Sequence, residues 1–171
     1  LHLPGRNKEM KQKVIANLNS QENIRMVVGL GDICSDVGTN EEYDYARRFL
    51  SRLKKPFFPV AGNHDYAATG QLSTELFNHH ARLAMEWTRQ VLEEEVLHML
   101  FGLPLIHHEE AFQLIHATPE DPALWRYLFN PGDVIRSFAA MKAPVCLIGH
   151  SHVPVNFIAE GNGKIMTNQE S

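Results

Sequence analysis

The sequence predicts an α/β fold of two packed sheets flanked by helices, and three observations carry that prediction. Stretches with helical apolar spacing alternate with short β-branched runs through the first part of the chain. The runs end at turns rich in Gly, Asp and His. The last part shifts toward strand-like segments and closes on a hairpin pattern centred on Gly161 and Gly163.

Taken in order, Met10, Val14, Ile15 and Leu18 recur at helical spacing between Asn7 and Asn19, and Arg25 to Leu30 is a buried-strand pattern ending at Gly31. Glu41 to Leu53 repeats the helical pattern with Tyr43, Ala46, Phe49, Leu50 and Leu53 on one face. Pro56 stops it and Phe57 to Val60 resumes as strand. His79 to Leu92 reads as helix with a stripe of Leu83, Ala84, Trp87 and Val91, and Glu93 to about Phe101 as another whose acidic start suits a helix N-terminus. Ala111 to Ile115 is strand-like, a Pro-rich loop follows, and Gly132 to Met141 is helical. Val145 to Ile148 is strand, and Val153 to Met166 the hairpin. No repeat, linker or low-complexity tract interrupts this order.

The chain of 171 residues has the length of one domain, 1–171. It begins without Met and ends just after a strand-like run, so both ends are expected to be cut. Its formal charge of −4 argues against a protein built to grip extended nucleic acid, which needs clustered Lys and Arg. A small substrate is the expected partner. Cys34 and Cys146 are far apart and form neither a disulfide framework nor a CxxC zinc site, which fits a reducing cytoplasm. No run approaches the ~18 apolar residues of a membrane span, and no membrane partner is expected.

The chemistry gathers in turn-like segments that each follow a predicted strand: Gly31-Asp32, Gly62-Asn63-His64-Asp65, His116, and Gly149-His150-Ser151-His152. Strand ends converge on one edge of an α/β sheet, where ligand sites form, and glycine lets the chain turn sharply into the crevice. Singly, each segment is more often a turn former or a satisfied polar residue. In this order, GD, GNHD, H and GHSH resemble the calcineurin-like metallophosphoesterases, from the first residues to about Phe157. Phe77-Asn78, Glu86 to Arg89, His116-Ala117-Thr118-Pro119 and Trp125-Arg126-Tyr127-Leu128 look most like the small bacterial and archaeal phosphodiesterase branch.

The resemblance implies a four-layer α/β/β/α sandwich of two packed mixed sheets, and two divalent metal ions. It makes Leu1-His2 the end of an Asp-x-His motif whose Asp precedes Leu1, so the N-terminal cut falls within the first metal motif. The missing Asp, His2, Asp32 and His152 would surround one ion, and Asp32, Asn63, His116 and His150 the other, with Asp32 bridging. Such mixed nitrogen and oxygen ligands suit transition metals better than calcium. Manganese is expected, with Fe, Zn, Ni or Mg as the other candidates. The implied reaction is hydrolysis of a phosphate ester by in-line attack of a metal-bridging hydroxide. His64 would protonate the leaving oxygen and Asp65 would orient its ring.

Departures narrow the branch. Where the phosphoprotein phosphatases carry an Asp, an Arg and a Glu, this chain has Ser35, Asp36 and Asp65; where purple acid phosphatases place a Tyr ligand, it has Ser35. A phosphodiesterase is therefore expected, with a phosphomonoesterase as the alternative. A catalytically silent scaffold of the same fold would have lost ligands, and every ligand position inside this chain is occupied by a competent residue. A nuclease of the superfamily would want a basic groove and extra domains. His79, His80, His98, His107 and His108 match no ligand position and read as surface or packing histidines. Trp87 and Trp125 read as core or cap anchors. Asn78 and Arg126 are candidates for substrate contact.

Overall fold

Alternation of helix and strand places two short parallel strands side by side at the start of the fold. In the computed structural model, which describes residues 8–33 and 39–168, α1 (Lys8–Ser20) leads into β1 (Val27–Leu30), and α2 (Asn40–Leu50) crosses to β2 (Phe57–Val60). β1 and β2 pair in parallel with Val27 opposite Phe57 and Leu30 opposite Val60. A helical connection is what parallel pairing demands, because a tight turn cannot return the chain to the same end of the sheet.

After β2 come α3 (Asn63–Ala68), a short 3₁₀ turn at Thr74–Leu76, α4 (His79–Val91) and α5 (Glu94–Phe101). β3 (Ile106–His108) then pairs antiparallel with β4 (Phe112–Ile115). A loop carrying a 3₁₀ turn at Pro122–Leu124 leads through α6 (Pro131–Ala140) to β5 (Val145–Ile148), which pairs in parallel with β4, Ile115 opposite Ile148. β6 (Asn156–Ala159) and β7 (Ile165–Asn168) form the expected antiparallel hairpin. The fold is thus mixed α/β with several sheets, as the sequence predicts. β1 lies beside β4 and β2 beside β3, so the two sheets abut. None of the described helices is long and apolar enough to cross a membrane.

The helices pack on one another through two apolar clusters. Ile15, Ala46 and Phe49 join α1 to α2. Tyr43, Ala67, Ala68, Met85, Leu92 and Leu100 join α2, α3, α4 and α5. Val60, Leu114 and Ile115 are buried on the strands. Caps set the helix starts: Asn130 caps α6 with its side chain on the Asp133 amide, Asp133 answers it, and Pro131 occupies the first helical position.

Two expectations are corrected here. The Gly62 to Asp65 segment is the start of a helix, not a turn. Also, α4 faces its core with Met85 and Thr88, followed by Leu92, while Leu83 and Trp87 stay 48% and 41% exposed, so Trp87 is not a core anchor. The reason is Arg89: its Nε reaches the Ala67 carbonyl at 2.5 Å and its Nη2 the Leu72 carbonyl at 2.9 Å. Satisfying those carbonyls turns the Arg89 side of α4 inward. A count of apolar positions does not see that polar demand.

Candidate metal centre

Parallel pairing brings the ends of β1, β2, β4 and β5 to one edge, and each delivers one group to a common point. β1 ends in Gly31, whose φ of +86° starts a sharp turn. A β-carbon there would collide with His116 Nδ1 and come within 2.8 Å of the Gly62 backbone, so only glycine allows these loops to touch. Asp32 follows with φ +53° and is buried. β2 runs through Gly62 into the first turn of α3, where Asn63, His64 and Asp65 are successive residues. β4 ends in His116 and β5 in Gly149-His150, and the Gly149 amide donates to the His116 carbonyl at 2.9 Å.

His116 is the centre of the cluster and only 2% exposed. Its Nε2 lies 3.3 Å from Asp32 Oδ2, 3.1 Å from Asn63 Oδ1 and 3.1 Å from His150 Nδ1. Ligand atoms of Asp32, His116 and His150 all fall within 4.8 Å of one another. The far side of each ring meets a backbone carbonyl: His116 Nδ1 is 2.5 Å from the Leu30 oxygen, and His150 Nε2 is 2.9 Å from the Trp125 oxygen. A carbonyl only accepts, so each of those nitrogens must carry the proton. The inner nitrogens are then left to face each other, a carboxylate and an amide oxygen.

Such a convergence of electron pairs is repulsive unless a cation or a proton sits among them, so the donor set fits a divalent metal. The protonation behaviour of the bare cluster agrees. Burial alone would lower His116, but the hydrogen bond and charge of Asp32 outweigh it and leave the imidazole raised above its usual value. Burial would likewise raise Asp32, yet His116 and the amide of His64 hold it below the ordinary range. His150 falls to about 4, through its own burial and then the charge of His116. The bare cluster thus favours a protonated His116 beside an ionised Asp32 where a metal would stand.

Asp32, Asn63, His116 and His150 are therefore brought together. The His64 amide donates to Asp32 Oδ1 at 3.1 Å, which ties the start of α3 to the carboxylate, while the His64 ring meets Phe77 edge-on at 5.2 Å. Asp65 is fully buried and its Oδ2 accepts from the amides of Gly62 at 2.8 Å and Ile33 at 3.3 Å. It locks the β1 loop to the α3 cap. His152 stands on an exposed turn with φ +56° and is not in the cluster. His2, Cys34, Ser35 and Asp36 lie outside the described residues. His79, His80, His98, His107 and His108 also stand apart from the cluster; His108, for example, contacts the Lys142 carbonyl at 3.2 Å. Asn78 caps α4 and Arg126 lies 3.6 Å from Glu120.

Sequence reasoning missed the part played by Trp125 and Tyr127. Trp125 is buried with φ +52°, its ring against Tyr66 and His116, and that conformation aims its carbonyl at His150. Tyr127 stacks on the His150 ring at 4.0 Å and 17°. Asp32, Trp125, His150 and His152 are the non-glycine residues of positive φ among the described residues, and such conformations, of order 1–3 kcal/mol each, gather where function requires them. The Trp-Arg-Tyr-Leu stretch was visible as a pattern, but a backbone carbonyl leaves no signature in a sequence.

Comparison with known proteins places the chain in a family. Residues 1–168 match the family model of the calcineurin-like phosphoesterase superfamily domain. The uncharacterized protein MJ0912 of Methanocaldococcus jannaschii is 33% identical over 174 residues, covering 91% of this chain and 65% of that protein, so the chain spans just under two thirds of that relative's length. The crystal structure of a metallophosphoesterase from Sphaerobacter thermophilus superposes with a TM-score of 0.64 at 29% identity, covering 90% of this chain and 59% of that one. Hypothetical protein PH1004 from Pyrococcus horikoshii OT3 shares the fold at a TM-score of 0.60 and 13% identity, over 92% of this chain and 80% of that one. The family match spans the strand edge that carries Asp32, His116 and His150, and the chain belongs to the calcineurin-like phosphoesterase superfamily.

Proposed function

We propose that this chain is the body of a metal-dependent phosphodiesterase acting on a small phosphate ester in the cytoplasm. The observation that supports it best is the pinning of both imidazoles by backbone carbonyls, so that His116 Nε2 and His150 Nδ1 face Asp32 and Asn63. Asp32, Asn63, His116 and His150 would hold one divalent cation. Asp32 would be shared with a second, held also by His152, His2 and an Asp before Leu1. When bound, the cations, manganese in this proposal, would polarise the phosphate oxygens and acidify a water.

The chain's own part is positioning and proton transfer. His64 is carried on the α3 turn whose amide is bonded to Asp32, so its ring is held beside the cluster. It donates a proton to the leaving ester oxygen, and Asp65 fixes the turn on which it rides. Full-length protein incubated with Mn and bis-p-nitrophenyl phosphate, beside a panel of mono- and diesters, tests this. Turnover that vanishes on chelation and returns on adding metal is expected, with diesters preferred. Turnover that survives exhaustive metal removal overturns the reading.

A further inference from the structure

Beyond the cluster, aromatic rings continue outward from it. Tyr127 lies nearly parallel to the His150 ring, and Phe129 lies nearly parallel to Tyr127 at 4.7 Å and 8°. These are stacking distances, and they make a run of flat surfaces that begins at a candidate metal ligand. Phe129 is 76% exposed, an unusual position for a ring of that size. Its backbone is nonetheless anchored: its amide donates to Asp133 Oδ2 at 3.3 Å, and the next residue, Asn130, caps α6.

Tyr127, Phe129 and His150 all line one cavity of about 620 Å³, within the size range of small-molecule sites. Its walls are mainly apolar, among them Val134, Ile148 and Phe157, with Arg126 and Asn130 as polar groups. We infer that Tyr127 and Phe129 form a stacking platform for a flat aromatic arm of the ester substrate, either a simple aryl group or a nucleobase on its sugar. This inference rests on the phosphodiesterase reading above. A phosphate seated at His150 would place its second ester arm along the cavity, and a ring there extends the stack by one more plane. An aliphatic arm would bury area but gain nothing from the parallel faces.

The test compares diesters that share p-nitrophenol as leaving group and carry methyl, hexyl, phenyl or thymidine as the other arm, hydrolysed by the full-length, Mn-loaded protein. Holding the leaving group constant keeps the chemical step comparable. The kcat/KM for phenyl or thymidine should exceed that for methyl by about 10-fold or more, the scale of one base stacked on a side-chain ring. Phe129→Ala and Phe129→Leu should shrink that ratio toward one and Phe129→Trp should preserve it, with metal content unchanged. A thymidine arm well ahead of phenyl identifies a nucleoside source, and equal rates an aryl one. A hexyl arm equal to phenyl, or a ratio that Phe129→Ala and Phe129→Leu both leave unmoved, overturns the platform alone. Absence of metal-dependent turnover for every ester overturns the phosphodiesterase reading itself.

Discussion

Gly62 and Asp32 are packed so closely that a β-carbon on Gly62 would overlap the Asp32 carboxylate. The same Oδ1 accepts the amide of His64, two residues further on in the first turn of α3. Backbone and carboxylate therefore share one small space, and the side chain that is missing at position 62 is part of how Asp32 is placed.

Gly62→Ala should accordingly push Asp32 off its position. Overpacking of this kind costs about 1–3 kcal/mol. Thermal melting should fall and metal binding weaken together, as read by denaturation and by elemental analysis of the purified variant. A variant that melts lower but binds metal normally would show that Asp32 is free to adapt.

Asp32 and His64 should fail in different ways. Asp32→Asn removes the charge at the centre of the cluster, so metal content and turnover should drop for every substrate. His64→Ala should keep its metal and lose about 10²–10⁴-fold on esters with alkoxide leaving groups, and much less on aryl esters, whose phenolate departs with little protonation. If the His64 variant loses metal as completely as the Asp32 variant, the acid role is wrong.

The pH dependence of stability follows from three groups. His150 is lowered from 6.5 to about 4, so the folded metal-free protein resists its protonation and loses stability as pH falls through that window. Asp32, lowered below 3.8, adds a further loss at more acid pH. His116 is raised above 6.5, so its contribution is complete below 6.5 and is lost as pH rises through the folded value. Metal-free protein should therefore be most stable near neutrality. Binding a cation replaces the His116 proton: metal loading should release protons, measurable by calorimetry in buffers of different ionisation enthalpy, and should abolish the alkaline loss. A pH-independent melting temperature for metal-free protein would contradict this assignment.

Trp125 joins packing to the orientation of the His150 ring. Its ring is buried against Tyr66 and His116 while its carbonyl holds His150. Trp125→Ala should cost about 3–5 kcal/mol in urea unfolding, the range for emptying a large aromatic site. It should also broaden the visible spectrum of the Co-substituted protein, since residue 125, without its ring to hold the left-handed backbone, can turn its carbonyl away from His150. Loss of stability with an unaltered Co spectrum would reduce Trp125 to packing alone.

Much of this was legible in the residues. Phe57–Val60 and Val145–Ile148 coincide with their expected strands, because β-branched and aromatic runs bounded by Pro and Gly leave little choice. Asp32, Asn63, His116 and His150 stood out because each follows a predicted strand, and the order GD, GNHD, H and GHSH, through the family it resembles, marked them as ligand candidates. The helix at Asn63–Ala68 was not legible, since its start is set by the Asp65 carboxylate closing on Gly62, a contact that needs the fold. β3 was missed for a similar reason: Ile106-His107-His108 has no strand pattern of its own and is extended by pairing with β4. The phase of α4 depended on carbonyls that Arg89 finds in α3 and beyond it. Periodicity reports where apolar residues recur, and polar contacts then decide which of them are buried.

The bond from His116 to the Leu30 carbonyl spans 86 positions of chain. A point built from contacts this distant in sequence closes only after the intervening helices and strands have come together, because each such closure is entropically costly before it is rewarded. The assembled cluster should therefore come too late for an ion to grasp in the early stages of folding. Metal should thus act as a late latch, slowing the unfolding arm of the chevron and leaving the refolding arm nearly unchanged. In a cell, the ion would set how long a finished molecule survives, while the speed with which it is made would depend on the chain alone.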